Sequence, residues 1–310
     1  MRMPESWKGR VRVPAIAAPM FLVSNPRLVA ACCKAGVVGT FPALNQRSTA
    51  GFVEWLDELK ATLGPQDAPY GVNLVVHKTN PRLQADLAEV VKHQVPLVIT
   101  SLGAAAEVVE AVHSYGGLVF HDVISLRHAE KAAQAGVDGL IPVAAGAGGH
   151  AGTINPFALV PEIRSLFSGY IALSGCIGSG AGIAAAQALG ADFGYIGTRF
   201  IGTQEASAPE AYKQMLLEAR AADIVYTPHI SGVPANFLRP SIVRAGLDPD
   251  RLKPKTEVDF GTELSAGKAW KDIWSAGQGT GAITDLPPAG ELCERMVQEY
   301  RDTCRRLGGS

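Results

Sequence analysis

The 310-residue sequence lacks the signatures of several large functional classes. It has no block of like charge, and its formal net charge is −1. That excludes the clustered lysine and arginine that neutralise phosphates in nucleic-acid binding. No apolar run reaches about 18 residues, and the first residues, MRMPESWKGRVRVP, hold no apolar stretch, so a soluble cytoplasmic protein without a membrane span is expected. Cysteine is scarce. Cys32, Cys33, Cys176, Cys293 and Cys304 are odd in number and form no CxxC pair at zinc spacing, and Cys32–Cys33 sits in an apolar helical pattern, as buried free thiols do. There is no HExxH and no clustering of histidine with carboxylates, so no metal is expected. A nucleophile elbow GxSxG is missing too, because ALSGCIG lacks the first glycine.

What is present is apolar residue: 47% of the chain is hydrophobic against 18% charged, the balance of a well-buried core. Eight short apolar runs recur, at 15–20, 36–42, 70–76, 96–103, 117–123, 139–145, 170–175 and 193–200. Their continuous, β-branched character fits strands buried on both faces, as a parallel sheet requires. Between them lie helical patterns at 25–36, 104–116, 125–136 and 180–190, each stopping at a glycine; the first opens with Asn25 as N-cap and Pro26 at the first helical position. Eight β-α units in series predict an α/β fold, a (β/α)8 TIM barrel, with a doubly wound open sheet as the second choice. The alternation stops near residue 220. Residues 1–220 with about 281–310 are read as the barrel, and about 221–280 as a small irregular or helical cap inserted near the C-terminus, with Trp270 and Trp274 in the cap core.

Active sites of such barrels lie at the C-terminal ends of the strands. That rule collects Pro19, Met20, Pro42, Asn73, Thr100, Ser101, His121, Asp122, Gly146–His150, Ser174–Gly180 and Gly197–Arg199 on one rim. Two glycine stretches, SGCIGSGAG and IGTRFIGT, follow the seventh and eighth strands, where backbone N–H groups and a helix start commonly hold a phosphate. His150 stands among glycines and alanines in PVAAGAGGHAGT, which offer an imidazole no packing partner. A phosphate grip, an apolar cavity and one histidine in a glycine loop point to flavin mononucleotide (FMN), with His150 as acid or base beside it. His121 and Asp122 are read evenly as site or rim residues, with Arg127 or Arg199 as ion partners for Asp122; His229 is a weaker candidate. His77, His93, His113 and His128 read as surface or capping residues.

Through AAPM, GVNL, GAGGHAG, SGCIGSG, GADFGYIGTRF and WSAGQG, the chain from about residue 14 to 300 resembles the nitronate monooxygenases, formerly 2-nitropropane dioxygenases. The resemblance implies an FMN flavoprotein. Pro19, Met20, Phe21 and Asn73 would meet the flavin, Gly148 and Gly149 would lie against it, and His150 would be the catalytic histidine. Ser174, Gly175 and Cys176 would form the phosphate loop, Gly197 and Thr198 its second strand, and Gln278 would close over the cofactor; His121 is a further contact. Two departures stand out. Cys176 replaces a glycine, which requires negative φ there, and Asp122 stands where several relatives carry a lysine. The expected substrates are alkyl nitronates or nitroalkanes with O2, giving a carbonyl compound and nitrite, and a homodimer is compatible with the resemblance. Two other readings stay open: an NAD(P)H-dependent flavin reductase of quinones or enoyl thioesters, and a non-catalytic flavin- or phosphate-ligand-binding barrel.

Overall fold

The computed structural model describes residues 2–103, 106–253 and 271–308. Residues 254–270 of the expected cap, Trp270 among them, lie outside the described residues. The eight apolar runs form eight parallel strands: β1 (Ala15–Ala17), β2 (Val38–Pro42), β3 (Tyr70–Val75), β4 (Leu97–Ser101), β5 (Leu118–Val123), β6 (Gly139–Pro142), then β8 (Tyr170–Ser174) and β9 (Phe193–Ile196) after the short β7 (Gly149–His150). They close into a barrel in the order β1-β2-β3-β4-β5-β6-β8-β9. Ile16 registers with Val38 on one side and Tyr195 on the other, which joins the last strand to the first. Every residue of β2, β6 and β9 is buried, the consequence of a sheet covered on both faces.

Helices α1 (Pro26–Lys34), α2 (Thr49–Thr62), α3 (Leu83–Lys92), α4 (Ala106–His113), α5 (Leu126–Gln134), α6 (Pro156–Leu166) and α7 (Gly180–Ala188) surround the barrel. Their starts are written in side-chain chemistry. Asn25 accepts from Leu28 N–H, Ser125 from His128 N–H and Ser179 from Gly182 N–H, each satisfying a donor that the first helical turn leaves without an intrahelical partner. The C-terminal helix Ala289–Gly308 packs against both α1 and α7 and so fills the position between them. The run 193–200 is strand only to Ile196; Thr198–Ile201 turns at once into the short helix α8, followed by α9 (Glu210–Glu218).

The barrel end opposite the site is stoppered by Trp7, whose ring lies 5.4 Å from Phe193 and 6.2 Å from Phe120. Tyr170 stacks on Phe120 and completes the plug. Burying a side chain of this size contributes about 3 kcal/mol. Beyond residue 220 the chain is more regular than its sequence indicates. β10 (Ile224–Thr227) and β11 (Ala235–Leu238) pair antiparallel, β11 also pairs with β7, and α10 (Arg239–Arg244) follows. Strands of two to four residues leave too little periodicity to read. Trp274 packs between the Tyr212 ring, 4.8 Å away and nearly parallel, and the Arg244 guanidinium, 3.4 Å from its ring centre.

Candidate active site

A cavity of about 1160 Å³ opens at the C-terminal ends of the strands. The residues expected at the rim and around the cofactor line it except Thr100, Ser179, Gly180 and Gln278, the last of which is exposed. His128, expected at the surface, is exposed but stands at the cavity mouth, whereas His229 does not line the cavity.

The glycine loop is held from above by the segment beyond residue 220. His150 sits in β7, paired with Ala235 of β11, and Gly149 pairs with Asn236. The Asn236 amide donates to Ala147 O (2.6 Å), and the Ser275 hydroxyl donates to Asn236 O (2.5 Å) while accepting from Gly149 N–H (2.6 Å). Gln278 contributes through its backbone: its N–H donates to Gly146 O at 2.8 Å. This contact needs two bare backbones. A Cβ on Gly148 would stand 2.9 Å from Gly277 N, and one on Gly277 would stand 2.9 Å from Gly148 N. Burial lowers the His150 pKa to about 4, so the imidazole is neutral at physiological pH and can accept a proton. Shaped backbone and a neutral base answer why a histidine stands among glycines: it faces the cavity, not the core.

Across the strand ends runs a polar chain. The Asn73 amide donates to Ser101 Oγ (2.7 Å), and Ser101 donates to Asp122 Oδ2 (2.6 Å). Asp122 therefore pairs with neither Arg127 nor Arg199; its partner is a neutral hydroxyl on the neighbouring strand. Its other oxygen, Oδ1, is shielded from solvent and has no hydrogen-bond partner among the described residues. Burial pushes its carboxyl up to about 6, against the opposing pull of the Ser101 hydrogen bond. Tyr195, which lines the cavity at the end of β9, is pushed well up by burial and by the Asp122 charge. His121 is buried with Nδ1 2.7 Å from Thr100 Oγ1, and burial lowers it to about 4.

Ser174 ends β8 and the loop Gly175–Gly178 leads to the Ser179 cap of α7. Cys176, Ile177 and Gly178 line the cavity, and their N–H groups donate to no protein acceptor among the described residues. Three consecutive unclaimed donors beside a helix start are the geometry of an anion nest. Cys176 corrects an expectation: its φ is +57°, not negative. The cysteine side chain lies over Gly146, with Sγ 3.7 Å from Gly146 O. Thr198 Oγ1 accepts from Gly277 N–H (2.9 Å) and ties the second glycine stretch to the same segment. Arg199 is buried and bonded to Asp285 (2.5 Å), which also holds Arg295, so its charge is spent internally. Sequence reading missed Asn236, which sits in no motif, and Tyr195, which lies inside the quoted GADFGYIGTRF but was not singled out. Ser275 lies inside the quoted WSAGQG and was legible as a position but not as a clasp.

Comparison with known proteins agrees with the barrel. The family model described as nitronate monooxygenase matches residues 82–299. A nitronate monooxygenase of Paraburkholderia phytofirmans is 28% identical over 348 aligned positions, spanning 95% of this chain and 94% of its own. The (3aS,4S,5R,7aS)-5-hydroxy-7a-methyl-1-oxo-octahydro-1H-indene-4-carboxyl-CoA dehydrogenase of Rhodococcus jostii is 27% identical, spanning 96% and 95%. Among solved structures, a nitroalkane oxidase of Streptomyces ansochromogenes superposes with a TM-score of 0.84 at 25% identity, covering 99% of this chain and 100% of that one. FabK of Thermotoga maritima gives 0.81 at 25% identity, covering 96% of each. A barrel with a neutral histidine in a clasped glycine loop, matched over this span, makes the chain an oxidoreductase that belongs to the nitronate monooxygenase family.

Proposed function

We propose that the protein is an FMN-dependent nitronate monooxygenase that converts alkyl nitronates or nitroalkanes and O2 to a carbonyl compound and nitrite. The observation that carries the reading is His150: a cavity-lining imidazole kept neutral by burial and fixed by a strand pairing rather than by a flexible loop. The cofactor fits the residues present, because the unclaimed amides of Cys176, Ile177 and Gly178 offer a phosphate its donors without a basic side chain. Ser174, Gly175, Gly197 and Thr198 would surround that phosphate, and Pro19, Met20, Phe21, Asn73, His121, Gly148 and Gly149 would border the ring system. Bound FMN would supply one-electron transfer between substrate and O2.

The chain's own residues supply position and proton handling. His150 takes the α-proton of a neutral nitroalkane at a ring nitrogen; a nitronate arrives already deprotonated and needs only orientation. The clasp of Asn236, Ser275 and Gln278 N–H keeps the loop against the cavity and excludes water from its outer side. We take residues 221–280 to act as the cap. The buried free thiols Cys32, Cys33 and Cys293 favour a reducing compartment such as the cytoplasm. His150→Ala is expected to keep the yellow cofactor and lose nitroalkane-dependent nitrite release by about 10²- to 10⁴-fold. Full activity in that variant would remove the mechanism.

A second reading, an NAD(P)H-dependent reductase, draws on the likeness to FabK and on a relative named as a carboxyl-CoA dehydrogenase. Anaerobic titration separates them: bleaching by ethyl nitronate and not by NADH favours the monooxygenase, and fast bleaching by NADH the reductase.

A further inference from the structure

Among the described residues Asp122 is the one acidic side chain lining the cavity, and nothing in the mechanism above uses it. It is the penultimate residue of β5 and is fixed from one side only: Ser101 of β4 holds Oδ2, and Ser101 is itself held by Asn73 of β3. The carboxyl cannot swing to another partner without breaking that chain. Oδ1 is left shielded from solvent with no protein hydrogen bond among the described residues. The titratable groups around the cavity offer it no countercharge. His121, on its own strand, and His150 are neutral, Tyr195 of β9 and Tyr212 of α9 keep their protons, Arg199 is bonded to Asp285, and His128, Lys131 and Lys271 are exposed. The balance on Asp122 consists of burial and the Ser101 hydrogen bond, with no cation in it.

Beside Oδ1 a second negative charge is disfavoured while Asp122 is ionised, because no cation acts on that carboxyl. A protonated Asp122, by contrast, presents an O–H donor where an incoming oxyanion needs one. Building on the nitronate reading, we propose that Asp122 is a proton-coupled anion site: an oxyanion ligand, a nitronate or an isosteric carboxylate, binds with uptake of one solvent proton onto the Asp122 carboxyl, whose Oδ1 then donates a hydrogen bond to it. The pairing selects singly charged, compact oxyanions and makes their affinity fall as pH rises.

The sign and size follow from linkage. Free Asp122 titrates at about 6, and the anion-bound form holds its proton well above that. The dissociation constant should then rise tenfold per pH unit above the break, about 50-fold between pH 6 and 8. The test uses the holoenzyme as purified and butyrate, which is isosteric with a propyl nitronate and does not turn over. Binding is followed by calorimetry in two buffers of different ionisation enthalpy, alongside the pH dependence of KM and kcat for propyl nitronate. Expected are proton uptake approaching one per butyrate at pH 8, and a pH effect in KM rather than kcat. Asp122→Asn should flatten both profiles. Ser101→Ala should move the break to higher pH, because its hydroxyl holds the carboxyl pKa down, and this serves if Asp122→Asn does not fold.

A pH-independent butyrate affinity, an unchanged slope in Asp122→Asn, or no binding of either anion at pH 6 would overturn the proposal. Butyrate binding with the expected slope but no nitronate turnover would leave Asp122 standing and remove the nitronate reading. Nitronate turnover with a pH-independent KM would do the reverse.

Discussion

Gly148 and Gly149 are adjacent in sequence, and the structure needs them glycine for different reasons, which makes a sharp comparison. Alanine at 148 would carry a Cβ 2.9 Å from Gly277 N, 2.9 Å from Thr198 Oγ1 and 3.2 Å from Ala276 C. None of these can rotate aside. Two are backbone, and Thr198 Oγ1 is tied to Gly277 N–H by a 2.9 Å hydrogen bond. The loop and residues 276–278 must separate by about half an ångström, an overpacking cost of about 1–3 kcal/mol. Losing the Gly277–Thr198 bond adds about 1 kcal/mol. At Gly149 there is open space, with nothing within 4 Å of a Cβ, but φ is +71°. Alanine there costs only left-handed strain, about 1 kcal/mol, and asparagine less. Urea unfolding should therefore give Gly148→Ala a midpoint shift two to four times that of Gly149→Ala at unchanged m, with Gly149→Asn closest to wild type. Equal shifts for the two alanine variants, or a Gly148→Asn as mild as Gly149→Asn, would refute the close-approach argument.

Other outcomes follow from the same geometry. Ser275→Ala should cost about 1–3 kcal/mol, because it strands Gly149 N–H and Asn236 O together, and it should lower kcat by letting the His150 loop drift; a variant with wild-type kcat would show that the clasp is not needed. Cys176→Gly should be neutral to slightly stabilising, within about 1 kcal/mol, since φ is +57°, and it should retain flavin; a loss of flavin would assign the thiol a binding role. His121 is protonated at about 4 in the folded protein and near 6.5 unfolded, so the unfolded state binds more protons between those values and stability falls as pH drops. The contribution is about 2 kcal/mol lost by pH 5, read as the difference in chemical-denaturation profiles between wild type and His121→Gln. Asp122 has the opposite sign: its folded pKa is raised, so its favourable contribution is full below the unfolded value and is lost as pH rises through about 6, which Asp122→Asn should remove.

The sequence by itself determined the barrel. Eight runs buried on both faces, N-caps such as Asn25 and Ser179, and glycine stops are local signals, repeated often enough to put a barrel ahead of an open sheet, and the structure closes it. It also gathered the candidate site residues on one rim, since residues after each strand end must share one face. It gave too little to read β7, β10 and β11, whose pairing is antiparallel, long-range and only two to four residues deep. The state of the site groups was beyond it as well. Whether Asp122 meets Arg127, Arg199 or Ser101, whether Cys176 turns left-handed, and whether His150 is neutral depend on partners some 20 to 130 residues away, as with Gly149 and Ser275. Spacing along a chain fixes which strand end a residue occupies. Protonation and hydrogen bonding are set by what other segments place within about 3 Å of it and by how much water they exclude, and only the tertiary structure decides that.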